Sequence, residues 1–240
     1  MYKDHWVVAI IPAHNEEARI GRVVDRAKSS VVDAVLVVDD CSTDATAAVA
    51  RSRGATVLTQ KRRRGVGAAL RTGIEHARRA GYDVAVILAG NNKDDPAEIP
   101  RLVDPIADDR CDLVMGSRYL PGGGCGGDMP LYRRLATRLH PWFMSRFSGK
   151  RVTESTNGFR AFRLSILDDL RINLRQRWLD TYGLEVYLLW KTLKLGYRHA
   201  EVPCTKIYPR RNEGYTKMRP VTDWWSILRP VFLLGMGFRD

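Results

Sequence analysis

Long hydrophobic runs are missing from this sequence. No stretch reaches the roughly 18 uninterrupted apolar residues that a membrane-spanning helix requires; the nearest, 221–238, is broken by Asp223, Arg229 and Pro230. The first apolar run, 6–11, is too short for the core of a secretory leader, so none is expected. Cysteine is scarce as well. Cys41, Cys111, Cys125 and Cys204 have no C-x-x-C spacing and mostly sit on or beside apolar runs. They read as reduced structural thiols, which implies a cytosolic compartment. Negative charge is in deficit: 27 acidic residues face 39 Lys and Arg, for a net charge of +12. Such an excess suits phosphates, an acidic membrane or nucleic acid, although a solvated basic face gives the same count. The basic residues are spread rather than gathered on a recognition helix, and no RNA- or DNA-binding motif occurs, so no nucleic-acid partner is expected. A Pro/Ser/Gly linker is absent too, which points to one large domain in these 240 residues.

What is present is an alternation of strands and helices. Apolar runs at 7–11, 34–38, 56–58, 83–88 and 111–115 read as strands. Helical spacing follows at 17–29, 68–80 and 95–107, and Ser42 or Thr43 is placed to cap a further helix. This succession predicts an α/β fold with a single, mostly parallel, doubly wound sheet and helices on both faces. The second half is less regular: a glycine loop at 122–127, a helix at 131–147 kinked or broken at Pro141, a helix at 182–195 and one strand at 198–208. From 222 onward, aromatic and aliphatic residues lie among Arg219, Arg229 and Arg239. This is a C-terminal helix that either packs on the domain as core or lies on an acidic bilayer.

Two of the strands break abruptly into acidic turns, and the C-terminal edges of such strands hold ligands in open α/β sheets. In IPAHNEE (11–17), Glu16 is left near the edge, where it can accept hydrogen bonds from a base or ribose or merely favour the helix N-terminus. In VVDDCSTDAT (37–46), Asp39 and Asp40 point to opposite sides; capping is served by Ser42 and Asp44, which leaves Asp40 for a nucleotide. KRRRGVG (61–67) places Lys61 to Arg64 just before a helix N-terminus, a favourable place for phosphate.

Together these turns resemble the family-2 glycosyltransferases, most of all the dolichol- or polyprenyl-phosphate mannose synthase branch. The resemblance covers 6–217 and rests on IPAHNEE, VVDDCSTDAT, GVGAALRTGIEHA (65–77), DDPAEIP (94–100), MGSRYLPGG (115–123), TNGFRAFR (156–163) and the pattern EVYLLWK–GYRHAEVPCTKIYPRRNEGYTKM (185–218). It implies a GT-A fold over 1–218, followed by the 219–240 helix, a nucleotide-diphosphate sugar donor, and inversion at the anomeric carbon. By the same resemblance Pro12, Ala13, Glu16, Asp40, Arg64, Gly65 and Asn91 surround the donor nucleotide. Arg118 lies near the sugar or acceptor, and Arg160 with Arg210, Arg211, Thr216 and Lys217 grips phosphate.

One departure is chemical. Relatives carry D-x-D and a following glutamine at the end of the fourth strand to hold Mg²⁺ or Mn²⁺; the matching residues here are Ala89, Asn91 and Lys93. A hard divalent ion wants carboxylate oxygens, so its presence is doubtful. Three readings stand open: Lys93 neutralises the diphosphate itself, Asn91 with Asp94 and Asp95 recruits the ion in a shifted geometry, or the site is silent. A polyprenyl phosphate acceptor is already an anion and needs no base. A soluble hydroxyl acceptor needs one, for which Glu185, Asp180 and Glu154 are the candidates. The expectation is therefore an inverting transferase with a lipid-phosphate or small-molecule acceptor, cytoplasmic or peripheral on the inner face of the membrane. A nucleotide-sugar-binding protein without activity is the alternative from another class.

Overall fold

The computed structural model describes residues 1–129, 131–208 and 222–239. Its first half is a regular alternation: β1 (Val7–Ala13), α1 (Glu17–Lys28), β2 (Ala34–Asp39), α2 (Thr46–Ser52), β3 (Thr56–Thr59), α3 (Val66–Arg79), β4 (Val84–Ile87), α4 (Ile99–Ala107) and β5 (Leu113–Ser117). The second half carries β6 (Gly124–Gly127), α5 (Leu131–Ser148), β7 (Arg160–Arg163), α6 (Gly183–Lys194), β8 (His199–Pro203), β9 (Thr205–Tyr208) and α7 (Thr222–Gly235). Among the described residues, seven strands form one sheet in the order β3-β2-β1-β4-β7-β5-β8, and β6 pairs with β9 in a small second one. The fold is α/β with a mostly parallel sheet; only β7 runs antiparallel, between β4 and β5.

Strand periodicity sorts the core onto two faces. Val8, Ile10, Leu36, Val38, Ala85 and Ile87 pack with α3 and α6, whereas Val7, Ala9, Ile11, Val35, Val37, Val84 and Val86 pack with α1 and α4. Each side chain of this size contributes about 1.5–3 kcal/mol when fully buried. Continuous apolar strands are what a sheet covered on both faces demands.

Several expectations are corrected. The glycine stretch 122–127 is not simply a loop: residues 124–127 pair in parallel with 205–208. The expected single strand at 198–208 is two strands in different sheets, divided at Cys204, whose N–H still donates to the Ser117 carbonyl. Helix α5 is not broken at Pro141 but continues through it. Neither Ser42 nor Thr43 caps α2, which starts at Thr46. Strand β7 has no signature in the sequence, because four residues with arginine at both ends give no apolar run.

At the C-terminal end, α7 buries Val231 and Leu234 and sets Phe232 against Phe143 (ring centroids 4.9 Å apart), while Trp225, Arg229 and Phe238 stay exposed. Among the described residues no helix is long and apolar enough to cross a membrane.

Candidate active site

The ends of β1, β2 and β4 meet at the point where strand order reverses, with β2 on one side of β1 and β4 on the other. The turns after β1 and β2 are laced together. Asn15 N–H donates to Ser42 Oγ (2.9 Å), Thr43 N–H to Asn15 Oδ1 (2.9 Å) and Glu16 N–H to Thr46 Oγ1 (2.7 Å). Ser42 thus fastens one turn to the other, and its hydroxyl and N–H are themselves held by Asp39. Glu16 is buried on this edge, and Arg19 Nη1 donates to its Oε2 at 3.4 Å.

Asp40 is 4 % exposed and does not stand ready for a ligand with both oxygens open. Its Oδ1 accepts the N–H of Arg64 and its Oδ2 that of Gly65, each at 2.8 Å. The carboxylate therefore pins the KRRRG loop across the sheet edge. Gly65 has φ of 103°, a conformation that favours glycine. Immediately after it, Gly67 and Ala68 donate their N–H groups to the carbonyls of Thr181 (2.8 Å) and Asp180 (2.9 Å). Two amides of the first turn of α3 are thus taken by backbone carbonyls. Asp180 in turn binds the Arg71 guanidinium, a structural use of one of the base candidates.

Beyond β4, the 89–95 loop closes on itself. Asp94 Oδ2 accepts Ala89 N–H (3.0 Å), and Asn91 Oδ1 accepts Lys93 N–H (3.2 Å). Gly90 lies close enough to β1 that a Cβ there would be 3.3 Å from the Pro12 carbonyl and from Ala13. Strand β9 is stitched to this loop: Ile207 N–H donates to the Lys93 carbonyl (2.8 Å), and Lys206 Nζ reaches Asp94 Oδ1 (2.5 Å) and Asn157 Oδ1 (2.8 Å). Lys93 is 8 % exposed, and its Nζ sits 5.4 Å from the Tyr208 ring centroid. Arg133 lies over the same ring at the same distance. Burial above all, with Arg133 and Lys206 adding repulsion, brings the Lys93 pKa down to about 8 against the pull of Glu16 and Asp94.

Behind the loop is a buried ionic network. Arg118 donates through Nε to Glu154 Oε2 (2.7 Å), through Nη1 to the Tyr208 hydroxyl (2.8 Å) and through Nη2 to Thr156 Oγ1 (2.7 Å). Burial opposes its charge, but Glu154 and the neighbouring phenols outweigh burial and raise its pKa. The other oxygen of Glu154 accepts the N–H groups of Ser155 (3.0 Å) and Thr156 (2.8 Å). Arg160 is 1 % exposed and gives Nη1 to the Glu185 carbonyl (2.7 Å) and Nη2 to the Asn157 carbonyl (2.6 Å). Its burial lowers its pKa, against Glu185 and Glu154.

The sequence profile of glycosyl transferase family 2 matches residues 8–171. The chain belongs to that family. This family-2 glycosyltransferase is 33 % identical over 221 residues to the undecaprenyl-phosphate mannosyltransferase of Micrococcus luteus, covering 88 % of this chain and 87 % of that one. It is 32 % identical over 219 residues to the polyprenol monophosphomannose synthase of Mycolicibacterium smegmatis, covering 88 % and 80 %. In structure it is similar to glucosyl-3-phosphoglycerate synthase from Mycobacterium tuberculosis, solved with Mn²⁺, uridine diphosphate and phosphoglyceric acid. The TM-score is 0.71 at 21 % identity over 99 % of this chain and 80 % of that one, a likeness that establishes the GT-A fold.

The glycosyltransferase brings most of the expected residues to one edge: Pro12 and Ala13 end β1, and Glu16, Asp40, Arg64, Gly65, Asn91 and Lys93 lie on the loops just described. Arg118, expected near the sugar or acceptor, and Arg160, expected on phosphate, both make internal hydrogen bonds, and Glu154, a base candidate, is bonded to Arg118, Ser155 and Thr156. Arg210, Arg211, Thr216 and Lys217 lie outside the described residues. A divalent ion was the implied cofactor, and the residues do not fit it. Asp94 is bound by an ammonium and an amide. Asp95 accepts the Ala97 N–H (2.9 Å) and pairs with Arg26 on α1. The Asn91 oxygen is turned to the Lys93 N–H. Among the described residues no group of three His, Cys, Asp or Glu side chains is placed to hold a metal. Sequence reasoning missed Lys206, Tyr208 and Asn157, although the TKIY and TNG motifs contain them.

Proposed function

We propose that this glycosyltransferase moves a hexose from a nucleoside-diphosphate sugar to a polyprenyl phosphate, with inversion at the anomeric carbon. The observation that carries this reading is the similarity, over 88 % of the chain, to a relative named as an undecaprenyl-phosphate mannosyltransferase. The site's chemistry agrees. The β1 and β2 turns offer a polar edge for a nucleoside, and Lys93, with Arg133 and Lys206 nearby, concentrates positive charge beside it. An acceptor phosphate oxygen attacks the anomeric carbon as the bond to the donor diphosphate breaks. The incoming group is already anionic, so no side chain has to remove a proton. The charge that develops on the departing diphosphate is met by fixed cations.

Membrane approach is supported by α5 and α7. Leu135, Leu139, Trp142 and Trp225 are exposed on these helices, together with Arg134, Arg138 and Arg229, a composition suited to an acidic lipid surface. The test is transfer of radiolabelled sugar from GDP-mannose and from UDP-hexoses to undecaprenyl phosphate in anionic vesicles, read as lipid-extractable label. Label in the lipid phase with release of the nucleoside diphosphate is expected. Label that appears only on a soluble hydroxyl acceptor, or donor binding with no transfer to any acceptor, overturns the reading.

A further inference from the structure

We infer that the donor site dispenses with a divalent ion: Lys206, held on Asp94 and Asn157, occupies the carboxylate a metal would need, and Lys93 meets the diphosphate, so that a nucleoside diphosphate binds without metal. This rests on the donor reading above and specifies its chemistry.

Asp94 is the first carboxylate after the altered metal motif. Both of its oxygens are taken, one by the Ala89 N–H (3.0 Å) and the other by Lys206 Nζ (2.5 Å). A metal would have to displace an ammonium that is itself 9 % exposed and bonded to Asn157 at 2.8 Å. Removing that partner would leave a buried charge unpaired, which is strongly unfavourable. The loop therefore accommodates an ammonium where a hard ion would otherwise seek oxygen.

Lys206 is not a loose surface lysine that happens to lie nearby. Backbone pairing sets its position: it bridges to Asp94 in antiparallel fashion, and its neighbour Ile207 donates to the Lys93 carbonyl. On its other side β9 pairs with β6. Lys93 is positioned by packing. Its ammonium and the Arg133 guanidinium both lie on the Tyr208 ring, whose hydroxyl accepts from Arg118. The Arg118–Glu154 pair is thus a positioning device beneath the cationic cluster. Among the described residues, Lys93, Lys206 and Arg133 face Glu16 and Asp94, and the mutual repulsion of the cations is relieved when a diphosphate enters. Lysine binds phosphate as a point charge, which is what a cluster of ammonium groups supplies in the absence of a metal.

The experiment is calorimetric titration of GDP and UDP into the full chain, first in EDTA and then with Mn²⁺. Binding in EDTA that Mn²⁺ changes by less than about twofold is expected, with Lys93→Gln and Lys206→Met each weakening it by about tenfold or more. Lys206→Met should also make binding respond to Mn²⁺, because it uncovers Asp94; thermal unfolding of each variant reports whether it is folded. Binding by the unaltered protein only when Mn²⁺ is present overturns the metal-free site and leaves the donor reading standing. Binding under neither condition overturns both. Full affinity in folded Lys93→Gln and Lys206→Met removes the lysines from the role.

Discussion

The carboxylate of Asp40 spans two consecutive amides, accepting Arg64 N–H on one oxygen and Gly65 N–H on the other, both at 2.8 Å. This ties the end of β2 to the start of α3 and holds the basic loop over the donor edge. Hydrogen bonds to a charged acceptor are worth about 1.5–3 kcal/mol each. Asp40→Ala is therefore expected to cost about 3 kcal/mol, and at roughly 2–4 °C per kcal/mol in a chain of this size the melting temperature should drop clearly. Trypsin should then cut the freed Lys61–Arg64 run in the otherwise folded protein. An unchanged melting temperature and cleavage rate would show that the loop is held by other means.

Close approach of two backbones makes a sharper case at Gly67. A Cβ at this position would sit 1.9 Å from the Leu179 carbonyl oxygen and 2.6 Å from that of Thr181. No rotamer change can relieve a clash with main-chain atoms. Gly67→Ala must pull α3 away from 179–181 and break the Gly67 and Ala68 hydrogen bonds, at a cost of more than about 2 kcal/mol. Urea denaturation should give a lower midpoint with a similar slope, and a midpoint matching that of the unaltered protein would refute the contact.

The contrast between these residues shows what was readable in advance. The strands at 7–11 and 34–38 were legible because burial on both faces writes a continuous apolar run. The edges at Glu16, Asp40 and the 89–95 loop were legible because each run stops at acidic or turn-forming residues. Whether a charged side chain faces a ligand or its own fold was not legible, because that depends on partners far away in the chain. Arg118 is neutralised by Glu154, and Arg160 is spent on carbonyls of Asn157 and Glu185. Lys206 is drawn to Asp94 across more than a hundred residues. Likewise β7 was missed because its buried arginine makes sense only once β4 and β5 flank it.

The Arg118–Glu154 pair gives a third prediction. Both side chains are almost wholly buried, at 2 % and 0 % exposure. Removing one partner strands the other charge, which typically costs about 3–5 kcal/mol. Arg118→Met and Glu154→Gln are each expected to destabilise by about that much, whereas the double variant should lose less than the sum. Denaturant unfolding of the three variants tests this as a double-mutant cycle. Strictly additive losses would mean that the two residues act separately and would return Arg118 to the list of ligand-facing groups.

His140 supplies a pH dependence with a definite sign. It is 1 % exposed; its Nε2 lies 3.2 Å from the Ile227 carbonyl and its Nδ1 2.6 Å from Ser155 Oγ. A carbonyl can only accept, so Nε2 carries the proton and Nδ1 accepts from the serine hydroxyl. The neutral ring joins α5 to α7 and to the loop behind Arg118. Burial, the largest influence, lowers its pKa from 6.5 to about 4, the Ile227 contact and Glu154 pull the other way, and Arg160 adds to the lowering. The unfolded chain therefore binds a proton that the folded one refuses between pH about 6.5 and 4. Stability is full above that window and is lost as pH falls through it, amounting to about 2 kcal/mol by pH 5. Other acidic groups add their own losses, so the comparison is with His140→Gln. That variant starts less stable, yet the unaltered protein should lose about 2 kcal/mol more than the variant between pH 7 and pH 5 in urea unfolding. Equal losses in the two proteins would mean that His140 is protonated in the fold, and that the bridge from α5 to α7 is not built on a neutral ring.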